Sequence, residues 1–259
     1  MPAIIETDDG TMFVTKFRGA GQGAKALIAE LITGLLAQKV GLPVPALALI
    51  HLDEAFGRSE RDPEIQDILK GSRGLNVGLG YLEGAFNFDP LAAHEFITPE
   101  FAADLVWFDA YVTNIDRTPR NPNMLFWNRT VQLIDHGASL YFHHNWEGLD
   151  ERRIHNPFAP IKDHVLMPLA GDLEAADRRM TARLNETVIE EIIALIPDAL
   201  LMDAPEGQTP PFDTPEANRA AYVSYLTKRL GGPRAFAEEA RIAQERQRAA
   251  RPQPLPYRR

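Results

Sequence analysis

"VTNIDRTPRNPNMLFWNRTVQLIDHGASL", residues 112–140, is the densest polar stretch of the chain. It holds Asp116, Asn121, Asn123, Asp135 and His136, with an apolar hairpin pattern of MLFW, the turn NRT and VQLID between its two halves. With the turn centred on Arg129, Asp135 falls opposite Asn123, and Asn121 lies one step away. Cross-strand Cβ atoms lie about 4.5–5.5 Å apart, so an amide and a carboxylate converge at one end of the hairpin. Asp116 arrives at that end from the close of the preceding helix. Packing needs none of these groups. Asp and Asn oxygens are hard ligands of the kind Mg²⁺ prefers, and Mg²⁺ takes one or two protein carboxylates together with phosphate oxygens. An acid that is not tied to metal can orient a hydroxyl and accept its proton. In phosphoryl transfer these roles fall to Asp116 as the base and to Asn121 and Asp135 as metal ligands. Asp and Asn also cap helices and build turns, so the D-x-x-x-x-N spacing alone is a weak signal.

Features upstream strengthen it. Ile4, Ile5 and Glu6 lead into Asp8-Asp9-Gly10, a turn signal, and MFVTKF, 12–17, follows with β-branched and aromatic content. Lys16 thus sits in a strand after a hairpin. RGAGQGAK places Gly19, Gly21 and Gly23 close together, so its backbone N–H groups can approach an anion. ALIAELITGLLAQKV reads as a helix that ends at Gly41, with Pro43 blocking continuation. Glu30 is the only charged residue between Lys25 and Lys39. An unpaired buried charge costs several kcal/mol, so its isolation argues for a partner. A strand lysine on nucleotide phosphates, held by a helix glutamate, is what phosphoryl transfer to a protein requires. Alternatively, Lys16 is a snorkelling strand lysine. His136 reads as a structural or orienting histidine, because Mg²⁺ prefers oxygen. His143 and His144 are adjacent, so their side chains point apart in regular structure.

PALALIHL, 45–52, reads as a buried strand, and SERDPEIQDILKGSRG as a loop with a short helix. LNVGLGYLEGAFNFDP reads as a strand and an extended connector. Thr98-Pro99-Glu100 opens a helix, with Thr at the N-cap and Pro at N1. DLEAADRRMTARLNETVIEEIIALI and PEANRAAYVSYLTKRLGG are the clearest later helical pieces. Strands dominate the first 85 residues and helices the rest, apart from the hairpin. The expectation is an α+β fold in one domain spanning 1–259: a small β-rich lobe over about 1–85, a helical lobe over about 86–250, and a flexible basic tail over about 251–259. The cleft between lobes is the expected ligand site.

The chain has 259 residues, 45% of them hydrophobic, and no cysteine, so thiolate metal sites and disulfides are excluded. No apolar run has the length of a membrane span, and the first residues lack the pattern of a signal peptide. A cytoplasmic location follows as the expectation. A net charge of −9 argues against non-specific nucleic-acid binding. Residues 234–259 carry seven Arg against three Glu, a local +4 that leaves −13 elsewhere.

The chain resembles the HipA-like kinases, specifically the short single-domain group. The resemblance rests on FVTKF with Lys16, AELITGLLAQKVGLPVP with Glu30, FDAYVTNIDRTPRNPNML, and LIDHGASL, and extends weakly to AYVSYLTKRL. It implies a protein-kinase-like bilobed fold and ATP- and Mg²⁺-dependent transfer of the γ-phosphoryl group to a Ser or Thr hydroxyl of a protein, the chain itself included. It makes Asp116 the base, Asn121 and Asp135 the metal ligands, Lys16 the phosphate-binding lysine and Glu30 its ion-pair partner. The adenine-holding hinge falls near Gly80, Tyr81, Leu82 and Glu83. No G-x-G-x-x-G precedes Lys16; GAGQG follows it instead, as a substitute phosphate loop or a connector. Full-length HipA toxins carry a further N-terminal region, so toxin behaviour and pairing with an antitoxin-like partner are left open by the sequence. A small-molecule kinase or nucleotidyl transferase on the same fold, a pseudokinase acting by contact, and a metal-dependent hydrolase using Asp116, Asp135 and His136 are the competing readings.

Overall fold

The computed structural model describes residues 2–21, 23–90, 95–204 and 207–250. The expected basic tail lies outside them. Strand β1 (Pro2–Glu6) pairs antiparallel with β2 (Met12–Lys16), Pro2 facing Lys16. The turn between them is closed by Gly10 N–H donating to the Thr7 carbonyl at 2.8 Å. Helix α1 (Ala24–Lys39) follows, then β3 (Leu47–Leu52), α2 (Pro63–Gly71) and β4 (Gly74–Gly80). These strands form one antiparallel sheet of order β1-β2-β4-β3. The order corrects one expectation: β3 is an edge strand, not a buried one. Only Ile50 and Leu52 are buried in it, and Leu49 is 44% exposed.

Helix α1 is apolar on almost every side, which marks a helix packed all round. It touches β3 and β4 on one side, and α6 (Glu186–Ala194) and α7 (Asp198–Leu201) on the other. It therefore joins the sheet to the helical part of the chain. Val40 ends it and Gly41 follows with φ 84°.

The larger part is built on α3 (Pro99–Tyr111), whose residues from Ala102 to Tyr111 are all buried. The Thr98 hydroxyl caps its first turn by accepting from Phe101 N–H at 3.1 Å. Its last turn is capped from outside the helix. Buried Arg229 donates to the carbonyls of Tyr111 at 2.9 Å and Ala110 at 3.0 Å, and its guanidinium stacks 4.7 Å from the Phe236 ring. Around α3 pack α5 (Leu173–Arg183) and α9 (Ala235–Ala250). Helices α4 (Glu151–Ile154) and α8 (Pro215–Gly231), which carries Arg229, complete this part. The stretch 172–196, read as one helical piece, is two helices. Asn185 restarts the chain as α6 by accepting from Val188 N–H at 2.9 Å.

A second antiparallel sheet joins β5 (Phe86–Asn87) to the hairpin of β6 (Met124–Trp127) and β7 (Thr130–Leu133). The fold is α+β, kinase-like and bilobed. Among the described residues no helix is long and apolar enough to cross a membrane.

Candidate active site

The hairpin has a tighter turn than the sequence suggested. Asn128 and Arg129 both take left-handed backbone, φ 47° and 65°, the requirement of a two-residue type I′ turn. Trp127 then pairs with Thr130 and Met124 with Leu133. The register is one residue short of a turn centred on Arg129. Asn123 consequently faces Ile134, whose N–H donates to the Asn123 carbonyl at 3.0 Å. Asp135 is not opposite Asn123 but one residue beyond, and its own φ of 57° swings it out of the strand direction.

That swing decides its partner. Asp135 pairs with Lys16. Lys16 Nζ also lies 2.5 Å from Glu30 Oε2. Strand β2, helix α1 and the segment after β7 thus converge on one ammonium. Glu30 is fully buried, whereas the Asp135 side chain is half exposed. Burial pushes the Lys16 ammonium down, but Glu30 and Asp135 more than offset it and leave its pKa above the usual lysine value. Burial raises the Glu30 carboxyl, and Lys16 limits the rise. Lys16, Asp135, Gly21, Leu27 and Gly137 line a cleft of about 280 Å³.

Asp116 belongs to a second cluster. Its carboxylate accepts from Asn121 Nδ2 at 2.7 Å and from Asn123 Nδ2 at 3.2 Å. The D-x-x-x-x-N spacing works because Thr118 and Asn121 exchange both backbone hydrogen bonds, each 3.1 Å, around Pro119-Arg120. That turn folds Asn121 back onto Asp116. Asn123 links the two clusters: its side chain bonds Asp116, and its carbonyl bonds the residue before Asp135.

Beneath the loop lies a buried network that sequence reasoning missed. Asp109, on α3, receives Arg117 Nε at 2.6 Å, His164 Nε2 at 2.9 Å and Asn114 Nδ2 at 3.2 Å. Arg117 Nη1 donates in turn to the Asn123 carbonyl at 2.5 Å. Burial alone would raise the Asp109 carboxyl; Arg117 and His164 overcome it and hold its pKa at about 2. Asn114 Oδ1 accepts from Asp116 N–H at 3.1 Å, so the same network fixes the Asp116 backbone. One signal for Asp109 was present in the sequence: an acid deep in an apolar helix, as with Glu30.

His136 is buried, and its Nδ1 lies 3.4 Å from Arg117 Nη2. Burial first, then Arg117, depresses its pKa to about 3, so the ring is neutral. That arrangement fits the orienting role, with the buried ring set against Arg117. His143 bonds the Tyr222 hydroxyl at 2.9 Å. Among the described residues no three His, Cys, Asp or Glu side chains gather as a metal site.

The glycine stretch is divided. Gly21 lines the Lys16 cleft, but Gly23 faces a separate cavity beside α1. Both have φ above 60°, a backbone that glycine adopts without strain. Tyr81 and Leu82 follow β4 and lead toward β5; neither borders the Lys16 cleft. The Tyr81 N–H is already bonded to the Met12 carbonyl at 3.0 Å.

An α+β bilobed fold with a lysine–glutamate pair facing an aspartate defines a kinase-like protein. The sequence pattern of the HipA-like kinases matches residues 1–220, and the chain belongs to that family. No curated protein matches. Among solved structures, a Helicobacter pylori proinflammatory kinase, CtkA, shares the fold with a TM-score of 0.58 and 15% identity, covering 95% of each chain.

Proposed function

We propose that this kinase transfers the γ-phosphoryl group of ATP, with Mg²⁺, to a Ser or Thr hydroxyl of a protein, its own chain included. The observation that carries the reading is the convergence of buried Glu30 and cleft-lining Asp135 on Lys16 at one cleft. Lys16 binds nucleotide phosphates, and Glu30 fixes it there from α1. Gly21 offers its backbone N–H at the cleft wall, Gly23 continues that loop, and an adenine hinge at Tyr81 and Leu82 requires the cleft to extend beyond the walls that Lys16 and Asp135 line. One domain carries both lobes, divided near residue 85.

The donor set fits a magnesium ion. Asp135 presents a half-exposed carboxylate to the cleft, and exposed Asn121, whose amide nitrogen bonds Asp116 in the neighbouring cluster, would supply an amide oxygen. Such hard oxygens, few in number, suit an ion that keeps water and phosphate in its shell. When bound, Mg²⁺ neutralises charge on the phosphates. Asp116 orients the acceptor hydroxyl and takes its proton, while Asn121 and Asn123 hold its carboxylate in place.

The test is single-turnover phosphoryl transfer by wild type and Asp116→Asn with autophosphorylation as readout. The variant keeps ATP affinity and loses at least a hundredfold in rate, since general-base catalysis supplies about 10²–10⁴-fold. Full turnover by Asp116→Asn would remove it from the base role.

A further inference from the structure

One cavity adjoins the cleft and a second adjoins that cavity. One, of about 740 Å³, is walled by Arg18, Lys25, Tyr141, His144 and Asp203, and shares Gly21 with the Lys16 cleft. The other, of about 340 Å³, is lined by Ile115, Tyr141, Leu149, Arg153 and Phe158, and shares Tyr141 with the first. Ile115 immediately precedes Asp116 and is 44% exposed; Tyr141 is 59% exposed. A path therefore runs from the Gly21 side of the cleft, through a basic cavity, over Tyr141, to a pocket bordered by Ile115, the neighbour of Asp116.

Charge along this path is unbalanced. Among the described residues Asp203 is the acid on the wall of the basic cavity, and Arg18 pairs with it at 3.2 Å. Lys25 makes no ion pair among the described residues. Burial holds its ammonium below the usual lysine value, and burial together with Lys25 depresses His144. An unneutralised lysine beside a histidine stands out in a chain of net charge −9. In the second pocket Arg229 and Arg153 both donate to backbone carbonyls, Arg153 Nη1 to that of Asn145 at 3.4 Å, and Ile115, Leu149 and Phe158 supply its apolar wall.

The geometry points to a polypeptide acceptor whose Ser or Thr has an acidic residue on one side, set against Lys25 and His144, and a large apolar residue on the other, seated among Ile115, Leu149 and Phe158. This rests on the kinase reading above and names its acceptor class. In the transfer, the acceptor hydroxyl oxygen forms the new bond to the γ-phosphorus. The bond from that phosphorus to the β,γ-bridging oxygen breaks, the hydroxyl proton passes to Asp116, and ADP departs with the electron pair. Two chemically different pockets that meet at Tyr141, one bordering the Lys16 cleft at Gly21 and one bordering Ile115, suit a chain segment, which presents a different side chain to each.

The experiment uses Ser-centred peptides carrying Asp, Leu or Lys on each flank, with wild type, Lys25→Glu and Lys25→Arg. ATP affinity is read in parallel by thermal shift. Wild type shows at least tenfold higher kcat/KM for the peptide with Asp on one flank and Leu on the other than for its Lys-flanked counterpart. Lys25→Glu loses at least tenfold on the acidic peptide at unchanged ATP affinity, and Lys25→Arg restores it. Equal use of all flanks, a preference for Lys, or a Lys25→Glu profile identical to wild type overturns the proposal. So does a fall in ATP affinity in Lys25→Glu, which makes Lys25 a nucleotide contact. ATP binding with no peptide phosphorylated also overturns it while sparing the nucleotide site. Absence of ATP binding by wild type is a different failure, that of the kinase reading itself.

Discussion

Replacing Lys16 by Met removes the ammonium 2.5 Å from Glu30 and strands a carboxylate with 0% exposure. Breaking a buried pair from one side costs about 3–5 kcal/mol. Asp135 loses the same partner, but its side chain is half exposed, so water replaces the lysine and its share is at most about 1 kcal/mol. Protonation of Glu30 caps the loss. Burial already raises its pKa with the lysine present, and removing the lysine raises it further. A raised carboxylate destabilises only above its unfolded value, so the penalty grows as pH rises and shrinks as pH falls toward about 4.5. Lys16→Met/Glu30→Leu removes both charges and returns to within about 1 kcal/mol of wild type, because an apolar replacement of a buried pair is often neutral. Urea unfolding at pH 8 measures all three. At roughly 2–4 °C per kcal/mol for a chain of this size, the single variant melts roughly 6–20 °C lower. The reasoning is refuted if Lys16→Met lies within 1 kcal/mol of wild type, or if the double variant is no more stable than the single one.

Two further outcomes follow from the buried network. Asp109→Ala leaves Arg117 buried without its carboxylate and costs about 3–5 kcal/mol in urea unfolding; a loss below 1 kcal/mol would contradict the network's role in holding the Asp116 loop. Stability also falls with acid. His136, depressed to about 3, and His143 and His164, also depressed, are neutral when folded and bind protons on unfolding. Their stabilisation is complete above about pH 6.5 and is lost as pH drops toward the folded values, each adding a slope of up to about 1.4 kcal/mol per pH unit. Asp109, held at about 2, adds to the loss below about pH 3.8, while raised Glu30 opposes it in part. Urea midpoints that stay flat from pH 7.5 to 5 would rule this out.

The parts of the fold legible in the sequence were those set by local chemistry. The Asp8-Asp9-Gly10 turn, the Thr98 cap and the apolar run of α1 each need only their neighbours. What escaped depends on contacts distant in the chain. Residue 45–52 composition does not say which strand lies at the sheet edge, and β3 proved to be that strand. NRT reads as a three-residue turn unless Arg129 is allowed a left-handed backbone, and that one step moved Asp135 off Asn123 and onto Lys16. Arg229 caps α3 from over a hundred residues away, which no local pattern encodes. The site was legible where an isolated charge in an apolar helix demands a partner, as Glu30 does. Asp109 sends the same signal, and its partners Arg117 and His164 are spread along the chain.

The most direct test of the nucleotide site is a thermal shift with ATP, with and without Mg²⁺, on wild type and Asp135→Ala. ATP at 100 times its Kd stabilises by roughly 2.7 kcal/mol, or roughly 5–11 °C here. The account predicts a Mg²⁺-dependent shift of that size in wild type and its loss in Asp135→Ala. A wild-type protein whose melting ignores ATP under both conditions, or a shift that survives Asp135→Ala undiminished, contradicts it.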